Sequence, residues 1–326
     1  MGPLNGIKVL EFSGIGPGPY CGMLLADLGA DVIRLSRVSE KGAHNKFDIH
    51  NRSKRTIVAD LKNPKAIKEI KKIIKEVDVL FEGYRPGVME KLGLSPEKCL
   101  KLNESLVYGR MTGWGQDGPM SNQAGHDINY ISLSGALNAI GDKNSNPSIP
   151  LNLIGDYGGG GMMLAMGILA GVISSSKTGK GQVIDSAMID GSLSLMSFFY
   201  SLKQMGIWKD KRKSNLLDGA AHFYDTYECS DNKYIAVGSI EPQFYNILLE
   251  KLELNDPGFK NQMDQSMWKE LKEIIATKIK SQPRDHWVEI FSGSDGCVTP
   301  VLNMDEAQEH EHNISDRTNV LLTIRV

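Results

Sequence analysis

The feature that most narrows the fold is an alternation in the first part of the chain, where short apolar runs rich in β-branched residues are separated by segments with helical spacing. IKVLEF (7–12) reads as a strand with a Gly-rich exit, residues 20–28 as a helix, and DVIRL (31–35) as a second strand. The segment NPKAIKEIKKIIKEV then starts at Asn63. Pro64 suits a first helical turn, and Ile67, Ile70, Ile73 and Ile74 share one face opposite the lysines. VDVLFEGY (77–84), SLVYGRMTG (105–113) and VIDSAM (183–188) add further buried strands. Strands joined by amphipathic helices predict a parallel sheet with right-handed crossovers, hence a Rossmann-like α/β domain.

From about Phe223 the pattern changes. FYDTYEC, a turn at Asp231-Asn232 and KYIAVGS make a hairpin signal, and helical segments follow at 242–253 and 266–280, as in a smaller α+β domain. The expected organisation is a large domain over 1–190, a linker helix and loop over 191–222 that contains the polar stretch 208–219, a small domain over 223–298 and a C-terminal linker or tail over 299–326. A length of 326 residues accommodates two such domains.

With 41% apolar and 23% charged residues the composition is that of a globular protein. The net charge of −2 argues against a nucleic-acid partner, which normally requires a basic excess. Cys21, Cys99, Cys229 and Cys297 form no metal-ligand spacing and read as reduced thiols of an intracellular, cytoplasmic protein. The most membrane-like stretch is Met162 to Ile173, twelve residues against the roughly 20 a bilayer span requires, so a buried helix and no membrane partner are expected. Charge is uneven along the chain. Between Arg34 and Arg55 stand seven basic residues (Arg34, Arg37, Lys41, Lys46, Arg52, Lys54, Arg55) against two acidic ones (Glu40, Asp48), which is either a handle for a small polyanion or a solvated surface.

The first loop, SGIGPGPYC, invites a dinucleotide reading but spaces its glycines as GxGxG, and Pro17 and Pro19 remove two N–H donors, so a tight turn is the better assignment. The P-loop, the GxSxG elbow and HExxH are absent, and His310 and His312 make only an HxH in a polar tail, so no metal is expected. Three polar residues stand out. His126 sits in AGHDINYISLSG, between a Gly and an apolar run. Asp156 sits in NLIGDYGGGGMMLAMG, where an apolar strand meets an apolar helix and five of the seven residues 155–161 are Gly. An N-cap would explain the Asp but not the glycines, each of which costs about 0.8–1 kcal/mol within a helix. Their absent Cβ atoms would let a substrate approach the backbone. Glu241 sits in VGSIEPQFY, past a strand and before a Pro, a position equally natural for an exposed helix start.

These residues carry a resemblance. GPLNGIKVLEFSGIGPGPYCGMLLADLGADVIRL, EGYRPGVMEKLGL, RMTGWGQDGP, AGHDINYISLSG, LNLIGDYGGGGM, GKGQVIDSAM and VGSIEPQFY together resemble the family III CoA transferases, and among them the racemase branch, from Gly2 to about Asn313. The resemblance implies a CoA-binding α/β large domain, a small α+β domain and an interlocked homodimer. In the transferases the Asp at the Gly-rich helix start attacks a thioester, and the racemase branch adds the His and the Glu, so Asp156, His126 and Glu241 together imply a racemase or epimerase of 2-methylacyl-CoA thioesters. The alternative is a family III CoA transferase with Asp156 as nucleophile. Inverting a carbon next to a thioester carbonyl needs one group to remove its proton and another to return one on the opposite face. His126 and Asp156 would be that pair, working through an enolate without metal or redox cofactor. Glu241 would fix the His126 tautomer, and backbone N–H groups near Asp156 and Tyr157 would stabilise the enolate oxygen.

For CoA, which is part of the substrate, the implied contacts are Arg37, the segment Ala59, Asp60, Leu61 and Lys62, then Gly83, Tyr84 and Arg85, Lys91, and Gly125, Asp127, Ile128, Asn129 and Tyr130, with Arg52 and Lys54 as possible helpers on charge alone. Met162, Met163, Met188, Met196 and Met205 are candidates for an adaptable acyl surface, with core packing the stronger expectation for most. The resemblance fades through the last residues, where family members continue in a Pro-rich segment, so the chain is either truncated or naturally short.

Overall fold

A computed structural model describes residues 2–42, 45 and 47–315. Lys46 of the basic cluster, and residues 316–326 of the tail, lie outside the described residues. The Cα packing divides the chain into two units, the first containing residues 2–137 and 149–198, the second 138–148 and 199–315.

The first unit is organised by a six-stranded parallel sheet in the order β3-β2-β1-β4-β5-β6. The strands are β1 (Lys8–Phe12), β2 (Asp31–Ser36), β3 (Arg55–Val58), β4 (Val79–Glu82), β5 (Val107–Thr112) and β6 (Gln182–Ala187). Every residue of β4 and β5 is buried, as expected where helices cover both faces of a parallel sheet. Side-chain alternation feeds two cores. Val9, Val32, Val79, Phe81 and Val107 face the helices Pro17–Asp27 and Met163–Thr178. Leu10, Leu35, Leu80 and Tyr108 face the helix Pro64–Ile74 through Ile70 and Ile74. That helix begins as its sequence dictates, with the Asn63 side chain accepting the Lys65 N–H at 2.9 Å.

The helix after Asp156 is longer than the twelve-residue apolar run suggested. It spans Leu153–Thr178, 26 residues, long and apolar enough to cross a membrane by length and composition alone. Its Leu164, Ala165 and Ile168 are buried in the sheet core. The contact is close because Gly167 faces Ile184 and Gly171 faces Val107, where a Cβ would stand 2.6 and 2.7 Å from their side chains. Residues Met162, Met166 and Ile173, spaced at helical intervals, are more than half exposed, so the core role expected for Met162 is not what the fold uses. Met205 is likewise exposed, whereas Met188 is buried.

The second unit carries an antiparallel sheet of β7 (Tyr224–Glu228), β8 (Tyr234–Gly238) and β9 (Val298–Val301). The hairpin anticipated at Asp231-Asn232 is there, with Asn232 in the left-handed region at φ 61°. The helices Pro242–Lys251, Trp268–Lys280 and Arg284–Phe291 pack on it around Phe223, Ile235, Leu248, Leu271 and Trp287. The polar 208–219 stretch is tied down by its own side chains. Buried Asn215 accepts the Lys209 N–H at 2.7 Å and donates to the Lys209 carbonyl at 3.0 Å, and Arg212 donates to the Asn138, Asp142 and Ser145 carbonyls.

Candidate active site

The sheet order reverses between β1 and β4, where the chain leaves β1 toward β2 and β3 on one side and β4 opens the other half. At such a switch point the loops beyond the carboxyl ends of the two strands diverge and leave a crevice. Here it is a cleft of about 710 Å³ whose walls include Ser13–Gly18 after β1, Gly83–Pro86 after β4, Met111–Trp114 at the end of β5, Gly125, His126 and Tyr130, and Asn152, Asp156 and Tyr157. His126 and Asp156, 30 positions apart in sequence, thus line one cleft.

Asp156 lies in the first turns of the long helix rather than at its cap, in a segment wound as a π-helix over Leu153–Met162. π turns inside helices concentrate at functional positions. One carboxylate oxygen, Oδ2, accepts from Asn152 Nδ2 at 3.1 Å, and a Cβ at Gly16 would come within 3.0 Å of it. Gly16 is also left-handed at φ 66°, so the tight-turn reading of the first loop acquires a purpose, which is to bring backbone against the Asp156 carboxylate.

The glycines after Asp156 do something other than leave room for a substrate. A Cβ on Gly159 would stand 2.7 Å from Ser192 N, one on Gly160 3.0 Å from Pro17, and one on Gly161 2.7 Å from the Pro17 carbonyl. Gly191, from the other side, approaches so closely that its Cβ would overlap the Gly159 carbonyl at 1.8 Å. Gly159, Gly160 and Gly161 are buried. The run is therefore consumed by packing against the helices Pro17–Asp27 and Met188–Leu195, which fixes the turn that carries Asp156.

His126 caps the helix Asp127–Leu133, with its backbone N–H donating to Asn129 Oδ1 at 3.0 Å, and is exposed. Tyr130 packs edge-on to Trp114 with ring centroids 4.8 Å apart and donates its hydroxyl to the Gly125 carbonyl at 2.5 Å. Burial pushes its phenol up to about 12, with the charges of Asp156 and Asp127 adding. Gly113 and Gly125 flank that ring, where a Cβ would clash. Asp127 is 5% exposed, and its Oδ1 accepts the backbone N–H of Asp156 at 2.7 Å. That contact corrects an expectation, because the Asp156 N–H is already engaged and is not free to stabilise an enolate oxygen.

Of the residues expected to hold CoA, Arg37, Gly83, Tyr84, Arg85, Gly125 and Tyr130 line the cleft. Ala59–Lys62, Lys91 and Asp127–Asn129 are not among its walls in the described residues. Asp60 instead closes the turn after β3 by accepting the Lys62 N–H at 2.9 Å. The Arg37 guanidinium lies over the Tyr84 ring at 5.3 Å, and the Tyr84 N–H donates to Glu82 Oε2 at 2.7 Å. Glu82, which also meets Arg110, is pushed up to about 7 by burial, offset in part by these partners.

The basic cluster shrinks in three dimensions. Arg34 pairs with Glu40 at 2.7 Å, Arg52 with Asp27 at 2.5 Å, Arg55 with Asp31, and Lys54 with Glu11 at 2.7 Å in full burial. Arg52 and Lys54 are therefore committed to the protein's own carboxylates, and among the described residues of this stretch the cation that lines the cleft is Arg37. Glu241 belongs to the second unit, where it is the exposed N-cap residue of the helix Pro242–Lys251, and burial, with the charge of Glu241 adding, pushes the Cys297 thiol up. Among the described residues no group of three or more His, Cys, Asp or Glu could hold a metal.

The chain can now be set beside known proteins. Mouse α-methylacyl-CoA racemase is 45% identical over 310 residues, 95% of this chain and 80% of that protein. Human succinyl-CoA:glutarate CoA-transferase is 29% identical, covering 93% of this chain and 72% of that one. The crystal structure of a CaiB/BaiF family protein from Brucella suis superposes with a TM-score of 0.82 at 24% identity, over 96% of this chain and 88% of that one, and shares the fold. The family model for CoA-transferase family III matches residues 4–322, and with the switch-point cleft and the sequence strings already described, the chain belongs to that family.

Proposed function

We infer that the protein is a racemase of 2-methylacyl-CoA thioesters. One of His126 and Asp156 takes the α-proton, the electron pair moves onto the thioester oxygen as an enolate, and the other returns a proton to the opposite face, so that the bond broken at one face is remade at the other. The observation that carries this reading is that His126 and Asp156, a nitrogen base and a carboxylate, line one cleft at the switch point. The identity to proteins named α-methylacyl-CoA racemase in mouse and human, at 45% and 44%, favours proton transfer over acyl transfer. With the Asp156 N–H engaged, the enolate oxygen needs another donor from the cleft wall, and such a donor is worth about 10² to 10³ in rate. The role of Glu241 as carboxylate partner of His126, and the homodimer, rest on the resemblance. The exposed apolar stripe of Met162, Met166 and Ile173 supports the latter.

The test incubates the protein with single enantiomers of a 2-methylacyl-CoA in deuterated water, with and without a free carboxylic acid. Deuterium entering the α-carbon with inversion, independent of the acid, is the expected outcome. Transfer of CoA to the added acid without inversion would assign the chain to the transferases, with Asp156 as nucleophile. CoA recognition gives a separate prediction. Arg37→Ala should raise KM about tenfold at low salt and less at high salt, with kcat little changed, because a charge-assisted contact to phosphate contributes about 1.5–3 kcal/mol and is screened by ions. Unchanged KM across a salt series would remove Arg37 from the CoA site.

A further inference from the structure

Asp127 stands between the two groups assigned to proton transfer. It follows His126 as the first residue of the helix Asp127–Leu133 and is 5% exposed. Its Oδ1 accepts the Asp156 N–H at 2.7 Å, while Oδ2 is buried with no hydrogen-bond partner among the described residues. The chain is built around this carboxylate, since a Cβ at Gly155 would stand 2.6 Å from Oδ1 and force the contact open. Burying a carboxylate with one oxygen unpartnered is costly, and burial pushes this carboxyl above its ordinary range, with the charge of Asp156 adding to the shift. The cost falls where the backbone N–H groups of Asp156 and Gly155 join the helix headed by His126 to the turn that carries Asp156.

We propose that Asp127 is a positioning residue whose carboxylate holds the Asp156 turn against the His126 helix and so sets Asp156 on its face of the α-carbon. The proposal rests on the racemase reading and takes the place of the CoA contact expected for this side chain from the resemblance. It predicts an asymmetry. His126 has anchors of its own, its N–H on Asn129 Oδ1 and the Tyr130 hydroxyl on the Gly125 carbonyl beside it. The Asp156 backbone has the Asp127 contact. Losing that contact should displace Asp156 and spare His126, and a displacement of about 1 Å can cost roughly 10² in rate.

The experiment measures α-proton exchange into deuterated water by NMR from each enantiomer separately, in the wild type and in Asp127→Ala. Asp156→Asn identifies the enantiomer whose exchange depends on Asp156. Asp127→Ala is expected to slow exchange from that enantiomer about 10²-fold, to leave exchange from the other within about threefold, and to leave KM unchanged, with inversion slowed in both directions. Asp127→Asn, whose amide oxygen can still accept the N–H, should show the same asymmetry at about tenfold, and it carries the test if the Ala variant fails to fold. Equal losses from both enantiomers, or a raised KM with kcat intact, would overturn the proposal. Absence of exchange in the wild type would instead overturn the racemase reading, a distinct outcome.

Discussion

Asp156→Asn is expected to lower inversion by about 10³-fold or more in both directions while leaving proton exchange from one enantiomer almost untouched. Asn keeps the shape and an acceptor for Asn152 Nδ2, now at 3.1 Å from Oδ2, so the turn should hold, but an amide neither takes nor returns a proton near neutral pH. In a two-base reaction each group serves as base for one enantiomer and acid for the other. Removing the carboxylate therefore stops deprotonation from one side and reprotonation on that side. His126 can still remove the proton facing it and return deuterium to the same face, which gives exchange with retention. His126→Ala should give the mirror result. Each general acid or base contributes about 10² to 10⁴ in rate, and loss of a group needed in both directions belongs at the upper end. Wild-type exchange from both enantiomers in either variant would sink the two-base scheme. Loss of acyl transfer together with no wild-type exchange would point to the nucleophile role.

What could be read from the chain follows from how local each signal was. The strands of the central sheet announce themselves because β4 and β5 are buried on both faces and are apolar but for Glu82, Arg110 and Thr112. β3 went unread because RTIV is an edge strand with a mostly exposed, half-polar pattern. β9, with Pro300 inside it, carries the same kind of weak signal. Asp156 and His126 were visible through their odd surroundings, but the reason for those surroundings was not. A Gly run looks alike whether it makes room for a ligand or for a neighbouring helix, and only the approach of Pro17, Ser192 and Gly191 decides between them. The basic cluster misled for a related reason. Charge counted between Arg34 and Arg55 omits Glu11, Asp27 and Asp31, which lie earlier in the chain and come alongside only when β1, β2 and β3 pair. Asp127 gave no signal as a structural carboxylate, because its partner is a backbone N–H 29 residues away.

The most consequential of those hidden pairs is Glu11 with Lys54, and Lys54→Met is expected to destabilise the fold by about 3–5 kcal/mol at pH 8 and by much less at pH 5. Both side chains are fully buried, with Nζ and Oε2 2.7 Å apart, and Oε1 has no hydrogen-bond partner among the described residues. Gly22 supplies the space, since a Cβ there would overlap Oε2 at 2.0 Å. Lys54 also donates to the Pro19 carbonyl at 2.8 Å, in the first turn of the helix on which Gly160 and Gly161 pack. Removing one partner of a buried pair leaves the other charge uncompensated, which is the source of the magnitude. The pH dependence follows from the sign of the shifts. Burial pushes Glu11 up to about 7 despite the pull of Lys54, against an ordinary value of 4.5, so between those values the folded protein holds a proton that the unfolded chain has lost. The contribution of Glu11 to stability therefore falls as pH rises through that window. Without the ammonium the carboxyl is pushed higher still, and the penalty goes on growing above pH 7, whereas at pH 5 Glu11 is neutral and Met merely replaces a cation that burial already disfavours. Urea unfolding at the two pH values measures the difference. Glu11→Gln on the Lys54→Met background should remove most of the pH 8 loss, and a loss that is the same at both pH values, or that survives Glu11→Gln, would mean that Lys54 acts through its contact with Pro19 and not through the buried pair.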